Sequence, residues 1–229
     1  MRPNGPKIAE GRDSEIFQHG PDLVLRVPRD GRSLVEEAQI MRHVQTFGYP
    51  VPTVHDAGEG FLVMDRIDGP MMMDRVGKPP FPVISYGRIL ADLHQRLHQI
   101  PAPQWLGQAP LPGDRVVHRD LHPMNVLISP QGPMVIDWSN ASAGDPAFDV
   151  ADTWLLFACV EPPLEGVDRL VVPLGRRLFL RAFLSRVDRQ AARRAIPAAV
   201  AQRLTDTNHT PAEHDRMRRL AIWARSSSG

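Results

Sequence analysis

His118-Arg119-Asp120-Leu121-His122-Pro123-Met124-Asn125-Val126-Leu127-Ile128, followed by Val135-Ile136-Asp137-Trp138, is the stretch on which the reading of this chain turns. It supplies an acid, an amide and a second acid at separations that suit phosphoryl transfer. Asp120 can accept the proton of an attacking hydroxyl, while Asn125 and Asp137 carry the hard oxygens that magnesium prefers. Val116-Val117, Val126-Leu127-Ile128 and Met134-Val135-Ile136 read as short strands, and Pro130-Gln131-Gly132-Pro133 turns the chain between the last two. Asp120 is therefore expected in a loop after one strand and Asp137 at the end of another. Carboxylates at the open ends of a strand–turn–strand can meet over one metal site.

The pattern H-R-D-x-x-x-x-N matches the catalytic loop of protein kinases, but Trp138-Ser139 follows Asp137 where those enzymes carry Phe-Gly. Together with Gly144-Asp145-Pro146-Ala147-Phe148-Asp149-Val150-Ala151, the set resembles the aminoglycoside phosphotransferase and choline kinase family of small-molecule kinases. The resemblance runs from about Ile8 to the helix containing Trp154. It implies an α+β, two-lobed protein-kinase-like fold with nucleotide between the lobes. Residues 1–67 would form a nucleotide-binding lobe, a small antiparallel sheet with one helix. Residues 68–229 would form a mainly helical catalytic and substrate-binding lobe. The resemblance further implies that Asp120 is the catalytic base, that Asn125 and Asp137 hold magnesium, and that Asp149 bonds backbone groups of the catalytic loop.

Only Trp138 to Gly144 separate Asp137 from the Asp145-Pro146 turn, and no Ala-Pro-Glu follows. So short a connection cannot form the platform on which a peptide lies, which disfavours a protein substrate. Arg119 then has no activation-loop phosphate to hold and is read as a structural loop contact. His118 and His122 are read as braces of the loop, not as a zinc pair.

Upstream, Gly11 opens a turn before the strand Asp22-Leu23-Val24-Leu25-Arg26-Val27, a place where backbone amides can approach phosphate. Arg26 stands where kinases carry a phosphate-binding lysine; Lys7 and Lys78 are the only lysines in the chain. The next helix, expected over 33–46, has an apolar stripe of Leu34, Met41 and Val44, and Glu37 falls within it. A carboxylate on an inward face is costly unless paired, so Arg26 and Glu37 are expected to form an ion pair. The strand Phe61-Leu62-Val63-Met64-Asp65-Arg66-Ile67 runs into Asp68-Gly69-Pro70 and resembles the hinge between lobes. Its backbone at Met64, Asp65 and Arg66 is the candidate contact for a purine ring. The implied cofactors are Mg2+ and ATP, with GTP an alternative.

The remaining features narrow the class. A composition of 42% hydrophobic and 23% charged residues is that of a soluble globular chain, and a net charge of +1 selects no nucleic acid or other polyanion. The apolar run 154–160 is too short to span a bilayer and no signal peptide opens the sequence, so a cytoplasmic protein without membrane contact is expected. The sole cysteine, Cys159, excludes an internal disulfide. A helix over 84–98 buries Ile89, Leu90, Leu93 and Leu97; its His94 and His98 have zinc spacing, but a structural role is favoured. Helices are expected near 166–187, 188–204 and 211–225, with most of their arginines on solvated faces. Glu161, Glu165 and Asp168 are the chief acids there, few for a polycationic acceptor. The sequence specifies no oligomeric state.

Two readings stay open. The first is a magnesium-dependent phosphotransferase that moves the ATP γ-phosphate to a hydroxyl of a small molecule. The second is a catalytically weak or inactive nucleotide-binding module of the same fold, to which Arg26 and the missing G-x-G-x-x-G point.

Overall fold

Apolar residues fill 23–27 apart from Arg26, and this segment becomes the middle of a sheet. The computed structural model of the chain describes residues 3–11, 13–76, 82–160, 168–206 and 209–226, with backbone alone over 168–171. In chain order the elements are β1 (Lys7–Glu10), β2 (Ser14–Gln18), β3 (Leu23–Pro28), α1 (Val35–Thr46), β4 (Val54–Gly58) and β5 (Phe61–Asp65). Then come α2 (Met72–Val76), α3 (Val83–Leu97), β6 (Arg115–Val117), a 3-10 turn (Pro123–Asn125), β7 (Val126–Ser129), β8 (Gly132–Val135) and β9 (Ser142–Gly144). The helices α4 (Pro146–Cys159), α5 (Asp168–Leu184), α6 (Arg189–Arg203) and α7 (Pro211–Ser226) complete the chain. These form two compact units, Met1–Pro70 with Asn125–Ala141, and Met71–Met124 with Ser142–Gly229.

The first unit is built on a five-stranded antiparallel sheet, ordered β1-β2-β3-β5-β4. Leu34, Ala38, Met41 and Val44 on and before α1 are buried, as are Leu25 and Leu62 of the sheet. Burying one such large aliphatic side chain contributes roughly 2 kcal/mol. The β7–β8 hairpin belongs to this unit, pairing Val126 with Val135 and Ser129 with Gly132. Asp68-Gly69-Pro70 passes tightly over it: a Cβ on Gly69 would lie 2.2 Å from the Ile128 carbonyl oxygen. Glycine is thus required by space at this break. The Ile128 amide donates to the Pro70 carbonyl at 2.9 Å. Trp138, the residue after Asp137, is a core residue; its indole donates to the Val135 carbonyl and stands edge-on to Tyr49.

The second unit is mainly helical. Asp145 caps α4 by accepting from the Ala147 amide at 2.8 Å, and Pro146 occupies its first position. Asp188 caps α6 in the same way through Ala191. Gly87 lets α3 and α5 approach, since a Cβ there would lie 2.6 Å from the Phe179 carbonyl oxygen. Leu90, Val116, Val117, Phe148, Leu155, Phe179, Phe183, Ile196 and Met217 make the core. Burial pushes the Cys159 thiol up to about 11, which leaves it a protonated core side chain.

This is the α+β architecture expected, with ends moved by one to three residues. Within the sheet β5 lies between β3 and β4, with a neighbour on each side. Among the described residues no helix is long and apolar enough to cross a membrane. Glu161 and Glu165, and the side chain of Asp168, lie outside the described residues, as does Lys78.

Candidate active site

In the first unit, β3 carries Arg26 inward because alternation along the strand turns it towards α1. Its guanidinium donates through Nη1 to Glu37 Oε1, through Nε to the Ser14 hydroxyl at 3.0 Å, and through Nη2 to Asp137 Oδ1 at 3.1 Å. Arg26 and Glu37 are both buried, so the expected ion pair is present, and Glu36 faces solvent. Burial alone would lower the Arg26 guanidinium, but Glu37 and Asp137 outweigh it and hold the group charged. Burial pushes the Glu37 carboxyl up, against the pull of Arg26. Glu37 Oε1 also accepts the Trp138 amide at 3.1 Å, so one carboxylate oxygen ties α1 to the chain just after Asp137.

The hairpin brings Asn125 and Asp137 to one end. Asn125 immediately precedes β7, its carbonyl accepts the Ile136 amide at 3.0 Å, and Asp137 follows directly. Asp137 has φ +64°, a left-handed conformation uncommon outside glycine. Its side chain is 41% exposed, and Oδ1 also accepts from the Ser139 hydroxyl at 3.0 Å. An amide oxygen and an open carboxylate on one hairpin end are donors that suit magnesium.

In the second unit, Asp120 lies on the loop after β6, as expected. One and two residues earlier the loop is held by Asp149 of α4: Oδ2 accepts the His118 amide at 3.1 Å and Oδ1 the Arg119 amide at 2.6 Å. This is the structural role assigned to Asp149. His98 Nε2 sits 3.0 Å from Oδ2. Burial would raise the Asp149 carboxyl, but the hydrogen bond from His98 leads the influences that hold it well below the usual range. His94 bonds the Leu90 carbonyl at 2.9 Å and lies 3.1 Å from the Thr153 hydroxyl, so both histidines of the zinc-like spacing have structural partners. Arg119, at φ +63°, donates to the Ser142 hydroxyl at 2.9 Å, the loop contact expected of it. His122 accepts the Met124 amide at 3.2 Å and braces the same loop.

Sequence reasoning missed Arg203 and Asp152. Arg203, the last residue of α6, donates through Nη2 to Asp120 Oδ1 at 2.7 Å. It also forks onto Asp152 of α4, Nε to Oδ1 at 2.7 Å and Nη2 to Oδ2 at 2.5 Å. Burial would raise the Asp120 carboxyl; His122 and Arg203 reverse this and hold it well below the usual range. A signal for Arg203 was present. Ala192, Ile196, Ala199 and Val200 form the buried stripe of α6, and Arg203 continues it at helical spacing.

The hinge candidates have backbone and side-chain partners within the first unit. The Asp65 amide donates to the Thr53 carbonyl at 2.9 Å, and the Arg66 amide to the Asp22 carbonyl at 2.8 Å. The Asp65 carboxylate faces His55 Nε2 at 2.7 Å and accepts the Thr53 amide. Met64 pairs with Val24 on one side and Val54 on the other. The two amide donors at Asp65 and Arg66 are therefore committed to protein.

The family model of the phosphotransferase enzyme family (APH) matches residues 5–115 and 104–184, which together take in residues 5–184. A search of curated protein sequences finds no significant match. Among solved structures, the chain is similar to a choline/ethanolamine kinase family protein from Mesorhizobium loti, with TM-score 0.59 and 16% identity over 97% of this chain and 88% of that one. It is also similar to the Plasmodium vivax ethanolamine kinase, with TM-score 0.58 and 11% identity over 96% and 81% of the two chains. The ADP-bound aminoglycoside phosphotransferase APH(2'')-Ib gives TM-score 0.57 and 16% identity over 94% and 90%. At these identities the likeness is one of fold.

Proposed function

Because this chain belongs to the phosphotransferase enzyme family, we propose that it transfers the γ-phosphate of ATP to a hydroxyl of a small molecule, with Asp120 as the catalytic base. The observation that carries this reading is the hairpin end that sets Asn125 beside Asp137, with Asp120 five positions before Asn125 on a loop braced by Asp149. A nucleotide-binding module without transfer would need the first pair but no held base.

Asn125 and Asp137 would hold magnesium, which when bound neutralises charge on the nucleotide phosphates. Arg26 supports this end of the hairpin through Asp137, and it would meet phosphate from the same side. Met64, Asp65 and Arg66 would lie along the purine, using backbone groups other than the two committed amides. GTP could replace ATP on these terms. Asp120 receives the acceptor hydroxyl: its oxygen attacks the γ-phosphorus, the bond from γ-phosphorus to the β–γ bridging oxygen breaks, and the diphosphate leaves with that electron pair. The hydroxyl proton passes to Asp120. Positioning and charge neutralisation supply most of the acceleration, because phosphoryl transfer needs little covalent help from protein. The boundary between nucleotide-binding and catalytic parts is proposed near residue 67. The acceptor is a free small molecule and the working compartment the cytoplasm, with neither nucleic acid nor membrane as partner.

Asp120→Asn tests the reading. The variant is expected to keep its thermal shift with ATP and magnesium while losing ATP consumption across a panel of hydroxylated metabolites and antibiotics. Undiminished consumption at saturating magnesium rejects Asp120 as base. Binding without consumption by the wild-type protein selects the inactive module instead.

A further inference from the structure

Asp120 is gripped from outside the loop that carries it. Arg203 comes from the end of α6, beyond residue 184 where the family-model match stops. Nε and Nη2 take both oxygens of Asp152, which fixes the plane of the guanidinium against α4. The same Nη2 then reaches Asp120 Oδ1 at 2.7 Å and the Arg119 carbonyl at 3.3 Å. The Arg203 and Asp152 side chains are 15% and 3% exposed, so the pair is largely removed from water. A buried pair of this kind stabilises a fold little more than apolar residues of the same shape would. Its cost therefore asks for a reason beyond packing, and its third contact, on Asp120, supplies one.

We propose that Arg203 is a positioning residue for phosphoryl transfer: anchored on Asp152, it holds Oδ1 of Asp120, whose Oδ2 stands 3.5 Å from His122 Nε2, and so fixes the orientation of the carboxylate that the acceptor hydroxyl meets. The proposal rests on the reading of Asp120 as base. Only an arginine fits the part, since lysine lacks a planar fork that can grip one carboxylate while reaching a second. The grip on the Arg119 carbonyl adds to it. Arg119 sits at φ +63°, and Arg203, Ser142 and Asp149 all hold it there, which sets the direction in which the next residue, Asp120, leaves the loop. Asp120 held in this way stays ionised and is a weak base. It orients the hydroxyl first and takes the proton late, as a loose phosphoryl-transfer transition state requires.

The test uses Asp152→Asn/Arg203→Gln, which removes both charges of the buried pair so that Asp152 is not left ionised without its cation, and Arg203→Lys, which keeps the charge and loses the fork. Mg-ATP consumption with water as acceptor is measured for the full chain, with melting temperature and a crystal structure of the double variant. The double variant is expected to melt cooperatively near the wild-type temperature, with KM for ATP unchanged and kcat lowered by about 100-fold, the scale of a small misplacement of a reacting group. Its Asp120 side chain is expected in a different rotamer. Arg203→Lys should keep stability but not rate. A kcat like wild type in the double variant, or an Asp120 carboxylate unmoved in its crystal structure, overturns the proposal. The crystal structure decides even where turnover with water is too slow to measure. Loss of activity in Asp120→Asn alongside an active double variant rejects Arg203 alone, whereas an active Asp120→Asn rejects the underlying reading.

Discussion

Each unit of this chain sets one arginine between two carboxylates, and the two clusters differ in how firmly the outer carboxylate is held. In the first, Arg26 of β3 lies between Glu37 and Asp137. In the second, Arg203 of α6 lies between Asp152 and Asp120. One acid of each cluster is sealed, Glu37 at 5% and Asp152 at 3% side-chain exposure; the other is displayed, Asp137 at 41% and Asp120 at 21%. The sealed acid anchors the arginine, and the displayed acid is the one to which the proposed function gives a role. The grip on Asp137 is long, 3.1 Å, and open to solvent, as would suit the metal ligand proposed above. The grip on Asp120 is short, 2.7 Å, and more sheltered, as would suit the fixed base proposed above.

The comparison breaks first on arginine removal. Arg26→Met and Arg203→Met each leave a buried acid without its cation and should destabilise the protein by about 4 kcal/mol in chemical denaturation. Their kinetics should separate: Arg26→Met raises KM for nucleotide, and Arg203→Met lowers kcat. Equal effects on both constants would erase the distinction. In Arg26→Met the orphaned Glu37 has a folded pKa raised further above its unfolded value. The lost stability should therefore return as pH falls, and denaturation at acidic and neutral pH checks it.

A smaller effect sharpens the picture of the second unit. Burial lowers His94 to about 4 from an ordinary 6.5. The folded protein binds fewer protons than the unfolded chain between those values, so stability is complete above 6.5 and declines towards 4. The decline amounts to about 3 kcal/mol. Asp149 and Asp120, held below the usual carboxylate range, add their losses only at lower pH. Urea denaturation across this window should show the slope in wild type and a flatter one in His94→Gln; equal slopes would mean His94 is not the group responsible.

The smallest effect concerns the third partner of Arg26. Ser14→Ala removes the hydroxyl that accepts from Nε and should cost about 1 kcal/mol, with little change in turnover. A larger loss of activity would mean that Ser14 does more than orient the guanidinium.

The Arg26–Glu37 pair was legible in the sequence, whereas the contact of Arg26 with Asp137 and the whole second cluster were not, for a reason visible in the helices. Glu37 interrupts a stripe of Leu34, Met41 and Val44, large residues that contrast sharply with a carboxylate. Arg203 ends a stripe made mostly of alanine, on a helix with several other arginines, where periodicity has little contrast. Asp152 sits in α4, buried along most of its length, so its helical face carries no pattern to single it out. The β7–β8 hairpin was legible because its turn residues and β-branched runs are local. The commitment of the Asp65 and Arg66 amides was not, because strand order is a long-range property. β4 and the loop at Asp22 reach β5 only through pairing that no local pattern encodes.

A crystal structure of the full chain with magnesium and a non-hydrolysable ATP analogue tests the central claim most directly. The account predicts one metal ion on the side-chain oxygens of Asn125 and Asp137, Arg26 released from Asp137, and Asp120 facing the γ-phosphate while still bonded to Arg203. A metal ion held by other residues, or a γ-phosphate turned away from Asp120, would contradict it.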